Sequence, residues 1–225
     1  MSDVELRFVV VTDGHWNSGY EYQHSQALDL IDQIHDEREI DFIVHCGDIV
    51  SDDETVHETV IDEFFSKLPA DYYPVYGNHD WATEDEWQDY YGLPFRYTWE
   101  AGDYGCISTN TGTPSRDSDW TAADASWIED QIDGFSGKDG VFVFQHVAPF
   151  EETDIVGLDM PDVREQIGRD EVVACFLGHN HQKNIREDHD GGRYFYANSI
   201  GGVREAEQPY EVEDDGLRVF DVVAQ

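Results

Sequence analysis

Short apolar runs recur along the chain, and each one ends at a polar cluster. Residues 7–12 (RFVVVT) precede Asp13-Gly14-His15, and residues 42–46 (FIVHC) precede Gly47-Asp48. Residues 72–76 (YYPVY) run into Gly77-Asn78-His79-Asp80, residues 141–145 (VFVFQ) into His146, and residues 172–177 (VVACFL) into Gly178-His179-Asn180-His181. Runs of this length, rich in Val, Ile, Phe and Tyr, predict buried strands. Between them apolar residues fall at helical spacing: Ala27, Leu30, Ile31 and Ile34; then Val56, Val60, Ile61, Phe64 and Leu68; later Ala125, Ile128 and Ile132. Strand–helix alternation predicts an α/β fold with a largely parallel sheet. Ligands bind outside the carboxyl ends of such strands, so the five polar clusters are expected to converge on one edge.

The remaining pattern reads as antiparallel additions. Residues 95–99 and 104–109 flank Gly102-Asp103, and residues 184–187 pair with 193–197 across Asp190-Gly191-Gly192. Residues 217–223 predict a final strand, and 90–119, irregular and rich in Gly, Thr and Ser, predicts a loop flanking the site. No repeat, low-complexity linker or boundary interrupts the pattern, so residues 1–225 are expected to form a single domain.

Charge changes the picture of the surface. Fifty Asp and Glu stand against thirteen Lys and Arg, a formal net charge of −37, and the only lysines are Lys67, Lys138 and Lys183. The acids come in short clusters between apolar positions (Asp52-Asp53-Glu54, Glu84-Asp85-Glu86, Glu213-Asp214-Asp215), which suits a folded, solvated surface. Such a charge repels itself at ordinary ionic strength, whereas molar salt cuts the Debye length to about 3 Å. The balance is that of a cytoplasmic protein from a halophilic cell. With no basic stripe to release counterions, a nucleic-acid groove is not expected. Cys46, Cys106 and Cys175 each lie inside an apolar run and read as small core residues rather than a disulfide framework. No stretch approaches the length of a membrane-spanning helix.

The clusters together supply two carboxylates (Asp13, Asp48), one carboxamide (Asn78) and four imidazoles (His15, His146, His179, His181), with His79 as a fifth. Mixed oxygen and nitrogen donors suit Mn, Fe, Zn, Co or Ni better than Ca or Mg. Seven ligands are too many for one catalytic ion that keeps an open position, and suit two ions sharing a bridge, for which Asp48 is the natural group. Of the other histidines, His24, His35 and His57 are expected to be solvated on helices, His189 to lie in a hairpin turn, and His45 to be packed within its strand. Trp16, Asn17, Tyr20 and Trp81 follow motif ends and read equally as pocket or as loop packing. Arg96, Arg116 and Arg204 are candidates to clamp a second substrate group, and nothing in the sequence selects one.

The ordered set D-x-H, G-D, G-N-H-D, H and G-H-x-H, spanning residues 13–181, resembles the calcineurin-like metallophosphoesterase superfamily. The stretch 90–132 is similar, more loosely, to the cyclic-nucleotide-phosphodiesterase-like (class III) members. The resemblance implies an αββα sandwich, two mixed β-sheets flanked by helices. It implies two metal ions, Mn or Fe favoured, one held by Asp13, His15, Asp48 and His181 and the other by Asp48, Asn78, His146 and His179. It further implies that His79 contacts the phosphate and protonates the leaving oxygen while a metal-bridging hydroxide attacks. Asp80 would stand behind the ligands and orient or charge a histidine. A small phosphodiester is the expected substrate, with broad-specificity phosphomonoesterase activity as the alternative. Purple acid phosphatases are disfavoured, since they carry a tyrosine ligand shortly after their Gly-Asp, where this chain has Val50 and Ser51, and a glycine where it has His15. A non-catalytic scaffold of the same fold is a further alternative, which retention of the whole ligand set disfavours.

The charge balance carries a test. The thermal midpoint should rise substantially between about 0.1 M and 3 M KCl, as surface repulsion is screened. Full stability at low salt with loss of fold at high salt would contradict it.

Overall fold

The computed structural model describes residues 4–16, 21–113, 119–151, 156–181, 185–197, 199–200 and 217–223. The five predicted strands are present, divided between two mixed sheets as the family resemblance implied, rather than lying in the one sheet that strand–helix alternation alone suggested. The first sheet holds β1 (Val4–Val11), β2 (Phe42–His45), β3 (Asp71–Pro74) and β10 (Arg218–Val223), in the order β10-β1-β2-β3. The second holds β4 (Tyr97–Ala101), β5 (Tyr104–Ser108), β6 (Gly140–Gln145), β7 (Val172–Leu177), β8 (Ile185–His189) and β9 (Gly192–Tyr196), in the order β4-β5-β6-β7-β9-β8. Both are mixed: β1, β2 and β3 are parallel with β10 antiparallel at one edge, while β5, β6, β7 and β9 are parallel with β4 and β8 antiparallel at the edges.

Alternation along the strands explains the layering, because successive side chains leave a strand on opposite faces. Leu6, Phe8 and Val10 of β1 join Phe42 and Val44 of β2 in an inter-sheet core, opposite Phe142 and Phe144 of β6 and Ala174 and Phe176 of β7. Phe8 is its centre, stacked on Phe42 at 4.8 Å between centroids and edge-on to Phe176 at 5.3 Å. The intervening residues Val9, Val11 and Ile43 face the other way, against α1 (Glu21–Glu37), α2 (His57–Glu63) and α3 (Glu84–Tyr91) through Ile31, Val60 and Trp87. On the second sheet Val141, Val143, Cys175 and Leu177 pack in the same manner on α4 (Ala125–Gly134) and α5 (Pro161–Ile167). Four layers result, helices–sheet–sheet–helices. The three cysteines are buried free thiols. No helix among the described residues is long and apolar enough to cross a membrane.

Helices α3 and α5 are not picked out by apolar periodicity, because eight and seven residues allow only one repeat of the apolar spacing. Their start signals were nevertheless in the chain. Thr83 and Glu86 form a reciprocal capping box, and Pro161 opens α5. The single helix suggested by residues 56–68 is instead α2 between two short 3₁₀ turns.

At their carboxyl edge the sheets are joined by backbone contacts. Thr12, beyond β1, bridges to Ser199, beyond β9, and Ile200 N donates to Thr12 O at 3.1 Å. Gly178, just past β7, has no room for a side chain: a Cβ there would stand 2.1 Å from Thr12 Oγ1 and 2.7 Å from Cys46 O. Gly178→Ala should therefore force the sheets apart at this edge and destabilise the fold by roughly 1–3 kcal/mol. An unchanged urea midpoint would show that the contact is not tight.

Candidate metal centre

All five polar clusters open onto this edge. The segment after β1 runs beside the segment after β2: Asp13 N donates to Gly47 O at 3.0 Å, His15 N to Asp48 O at 2.8 Å and Trp16 N to Ile49 O at 2.7 Å. Parallel pairing thus continues past the strand ends, but with Asp13, His15 and Asp48 all at positive φ. From the other sheet, His146 follows β6, and His179 and His181 follow β7, the last two again at positive φ. Gly77 lies so close to Asp48 that a Cβ would stand 2.2 Å from its amide nitrogen. The turn it opens presents Asn78, buried, and His79, whose N–H donates to Asp48 Oδ1 at 2.9 Å.

Two groups of donor atoms form. Asp13, His15 and His181 make one, and Asp48, His146 and His179 the other, with atoms within 4.8 Å of one another in each. His181 Nε2 lies 3.2 Å from Asp13 Oδ1 and 3.2 Å from His15 Nε2. Asp48 joins the groups through its separate oxygens. Oδ1 is 3.1 Å from His146 Nε2, while Oδ2 is 3.7 Å from His15 Nε2 and 4.0 Å from His79 Nε2. Asn78 sits between Gly77 and His79, both in contact with Asp48.

The donors fit a metal. Ligand atoms roughly 2.0–2.2 Å from a first-row ion stand about 3 Å from each other, and the nearest donor pairs here are 3.1 and 3.2 Å apart. His146 Nδ1 donates to Cys46 O at 2.7 Å, which aims Nε2 into the cleft, where it makes no aligned hydrogen bond although fully buried. A backbone carbonyl that fixes an imidazole in this way is a recurring support for a ligating histidine. Asp13 is held by the His179 N–H at 3.0 Å and the Thr12 hydroxyl at 2.8 Å, and its own carbonyl accepts from Ser199 Oγ at 2.7 Å.

Electrostatics sort the imidazoles into two classes. Burial lowers His15 and His179 to about 4 despite neighbouring carboxylates. For His146 burial acts in the same direction, but Asp48 and Asp13 overcome it and raise the ring to about 9. His181 is likewise raised, Asp13 outweighing burial. Burial opposes the charge on Asp13 and Asp48 too, yet the imidazoles hold both carboxyls below their ordinary range.

Asp52, not Asp80, is the carboxylate on a histidine of the site. Asp80 does not orient a histidine: its carboxylate accepts from the amides of Gly77 (2.7 Å), Asp48 (3.1 Å), Ile49 (2.6 Å) and Val50 (3.0 Å). Burial and the Asp48 charge push it up to about 7, against the pull of those amides. The carboxylate on His79 is Asp52, at 2.5 Å from Nδ1. Asp52 had been visible only as part of an acidic cluster; its signal was its position four residues after Asp48. His57, expected in solvent, is buried, donating from Nε2 to Asp80 O at 2.7 Å and therefore accepting at Nδ1 from Tyr91 OH at 2.8 Å. His24 is buried as well, donating to Gly14 O at 2.8 Å, and His45 is packed as expected. Trp16 is core. Arg96 is tied to Asp124 at 2.6 Å, and Asn17, Tyr20, Arg116 and Arg204 lie outside the described residues.

The two classes of imidazole have a measurable consequence. At pH 7 the metal-free protein carries a proton on His146 but not on His15 or His179, and His181 holds its proton more tightly than an ordinary imidazole, so metal uptake displaces protons and affinity falls as pH falls. Calorimetric titration with Mn²⁺ in two buffers of different ionisation enthalpy measures the release. Proton-neutral uptake at pH 7 would contradict the assignment.

Comparison with known proteins agrees with this geometry. The profile of the family described as calcineurin-like phosphoesterase matches residues 6–183. No curated protein matches the sequence. Among solved structures, a dimetal phosphatase from Danio rerio superposes with a TM-score of 0.69 at 14% identity, covering 88% of this chain and 89% of that one. GAP50, the anchor in the inner membrane complex of Plasmodium, gives 0.62 at 13% identity over 96% and 81%. The calcineurin-like phosphoesterase YfkN from Bacillus subtilis gives 0.54 at 12% identity over 97% and 91%. At these identities the structures share the fold, and it is the profile match over most of the chain that shows the protein to belong to the calcineurin-like phosphoesterase family.

Proposed function

We propose that the protein hydrolyses a small phosphodiester with the help of two metal ions, manganese or iron. One observation carries the reading: two donor groups meet at Asp48, and the His79 ring stands beside them without belonging to either. Asp13, His15, Asp48 and His181 would hold one ion, and Asp48, Asn78, His146 and His179 the other. Bound there, two ions polarise a phosphoryl group and lower the pKa of coordinated water.

The chain's own residues do the rest. His79 is about one-fifth exposed at its side chain, as is His181, whereas Asp13, His15, Asp48, Asn78 and His146 are buried, so the His79 ring is open to a substrate. Asp52 accepts from Nδ1 and fixes the ring, leaving Nε2 beside Asp48 Oδ2. From there Nε2 delivers a proton to the departing ester oxygen, and a water in the cleft restores it. Asp80 takes no proton in this scheme. It holds the amides around Asp48, so that the carboxylate cannot turn away from the shared position.

With Mn²⁺ in concentrated KCl, bis(p-nitrophenyl) phosphate should be cleaved in preference to p-nitrophenyl phosphate, and a chelator should abolish both activities. A monoester preference would favour the phosphomonoesterase alternative. Asp48→Asn should lose metal and nearly all activity. His79→Ala should keep its metal content while turnover falls by about 100-fold or more, the usual cost of a lost general acid. If His79→Ala loses metal instead, the division between ligand and acid is wrong.

A further inference from the structure

Trp120 lies at the rim of the centre. Its ring centroid is 4.9 Å from that of His179, with the planes at 69°, and 37% of the residue remains exposed. Only four large apolar residues are exposed to this degree among the described residues: Val4, Trp120, Val156 and Val223. Val4 and Val223 are cross-strand partners at the amino end of β1, away from the site. The other two attach to the 179–181 segment. Trp120 does so through the His179 ring, and Val156 through Asn180, whose amide accepts from Val156 N at 2.7 Å and donates to Val156 O at 2.9 Å.

Backbone pairing sets the position of Trp120. It bridges to Gly112, and Thr121 N donates to Thr111 O at 2.8 Å. Thr111 Oγ1 in turn accepts from Val147 N at 3.0 Å, in the residue that follows His146. The indole is thus tied to the two strand ends that carry His146 and His179, and is in place before any ligand arrives.

We propose that Trp120 is a stacking platform for a planar ring carried by the substrate, a nucleobase or other aryl group attached to the phosphate bound at the centre. This rests on the phosphoesterase reading above. A Trp half out of the core leaves indole surface in water, which a flat ring would cover, and such stacking is sequence-tolerant and worth roughly five- to hundredfold in affinity per base. It also suits this chain: a protein of net charge −37 gains nothing from long-range attraction for an anion, while ring stacking is indifferent to charge and to salt.

The test compares two probes that differ only in the ring. Inhibition constants of adenosine 5′-monophosphate and ribose 5-phosphate are measured against bis(p-nitrophenyl) phosphate turnover by the metal-loaded full chain, with metal content determined for each protein. The nucleotide should inhibit at least about tenfold more tightly. Trp120→Ala should bring the two constants close together with the metal retained, and Trp120→Phe should keep most of the difference. An equal ratio before and after Trp120→Ala overturns the platform, while the turnover itself leaves the phosphoesterase reading standing. Parallel weakening of both probes with loss of metal also overturns it, reducing Trp120 to a prop for His179. A metal-loaded wild-type protein that neither turns over nor binds the probes ends both readings together.

Discussion

Two ionised carboxylates, Asp13 and Asp48, are buried side by side, and the rest of the carboxyl edge is arranged around them. Removing such charges from water costs several kcal/mol each unless partners replace the lost hydration. Here the partners are the His179 N–H and Thr12 hydroxyl on Asp13, the His79 N–H on Asp48, and a shell of imidazoles from both sheets. The raised affinity of His146 and His181 for protons follows directly. The same carboxylates that would attract metal cations favour protons on these two rings.

That arrangement is held by strained backbone. Eight non-glycine residues among those described have positive φ, and Asp13, His15, Asp48, Asp52, His179 and His181 are six of them. A left-handed residue costs roughly 1–2 kcal/mol, so the strain is concentrated where the carboxyl ends of two sheets must deliver ligands to one point. What offsets it lies outside the site: the aromatic inter-sheet core around Phe8, and the helical layer that reaches in through Tyr91, His57 and the Asp80 carbonyl. Asp80 is the junction, with its carbonyl held by α2 and its carboxylate by the amides on either side of the Asp48 peptide. Strain at the ligands and satisfaction one step behind them are two aspects of the same design.

Much of this was legible in the sequence, for physical reasons. A buried strand must be apolar along its length, and the polar residues that end it must have a use, so the strand ends with Asp13, Asp48, Asn78, His146 and His179 could be read directly. Division into two sheets could not be read from apolar runs alone, because a run states that both faces are covered but not by what; Phe8 faces a sheet and Val9 faces helices. Nor could the burial of His57 be read, since it depends on the phenol of Tyr91, thirty-four residues away. Asp52 and Trp120 were hidden for another reason. Each sits in a stretch whose composition looks like surface, an acidic cluster and an irregular loop, and only the fold brings each against a histidine of the site.

The contrast between surface and cleft bears on how any anionic ester could be bound. At physiological ionic strength charges are felt over about 8 Å, and at molar salt over about 3 Å. In the first case a surface of −37 opposes approach, and in the second it is silent. Under neither condition does the protein as a whole attract its substrate, so discrimination must come from contacts of van der Waals or coordination range. The structure concentrates such contacts within a few residues: donor atoms about 3 Å apart, one partly exposed imidazole backed by a carboxylate, and one indole set against a ligand ring. A site of this kind would select by the shape and chemistry of what reaches it, through side chains such as Asp52 and Trp120 that no motif contains.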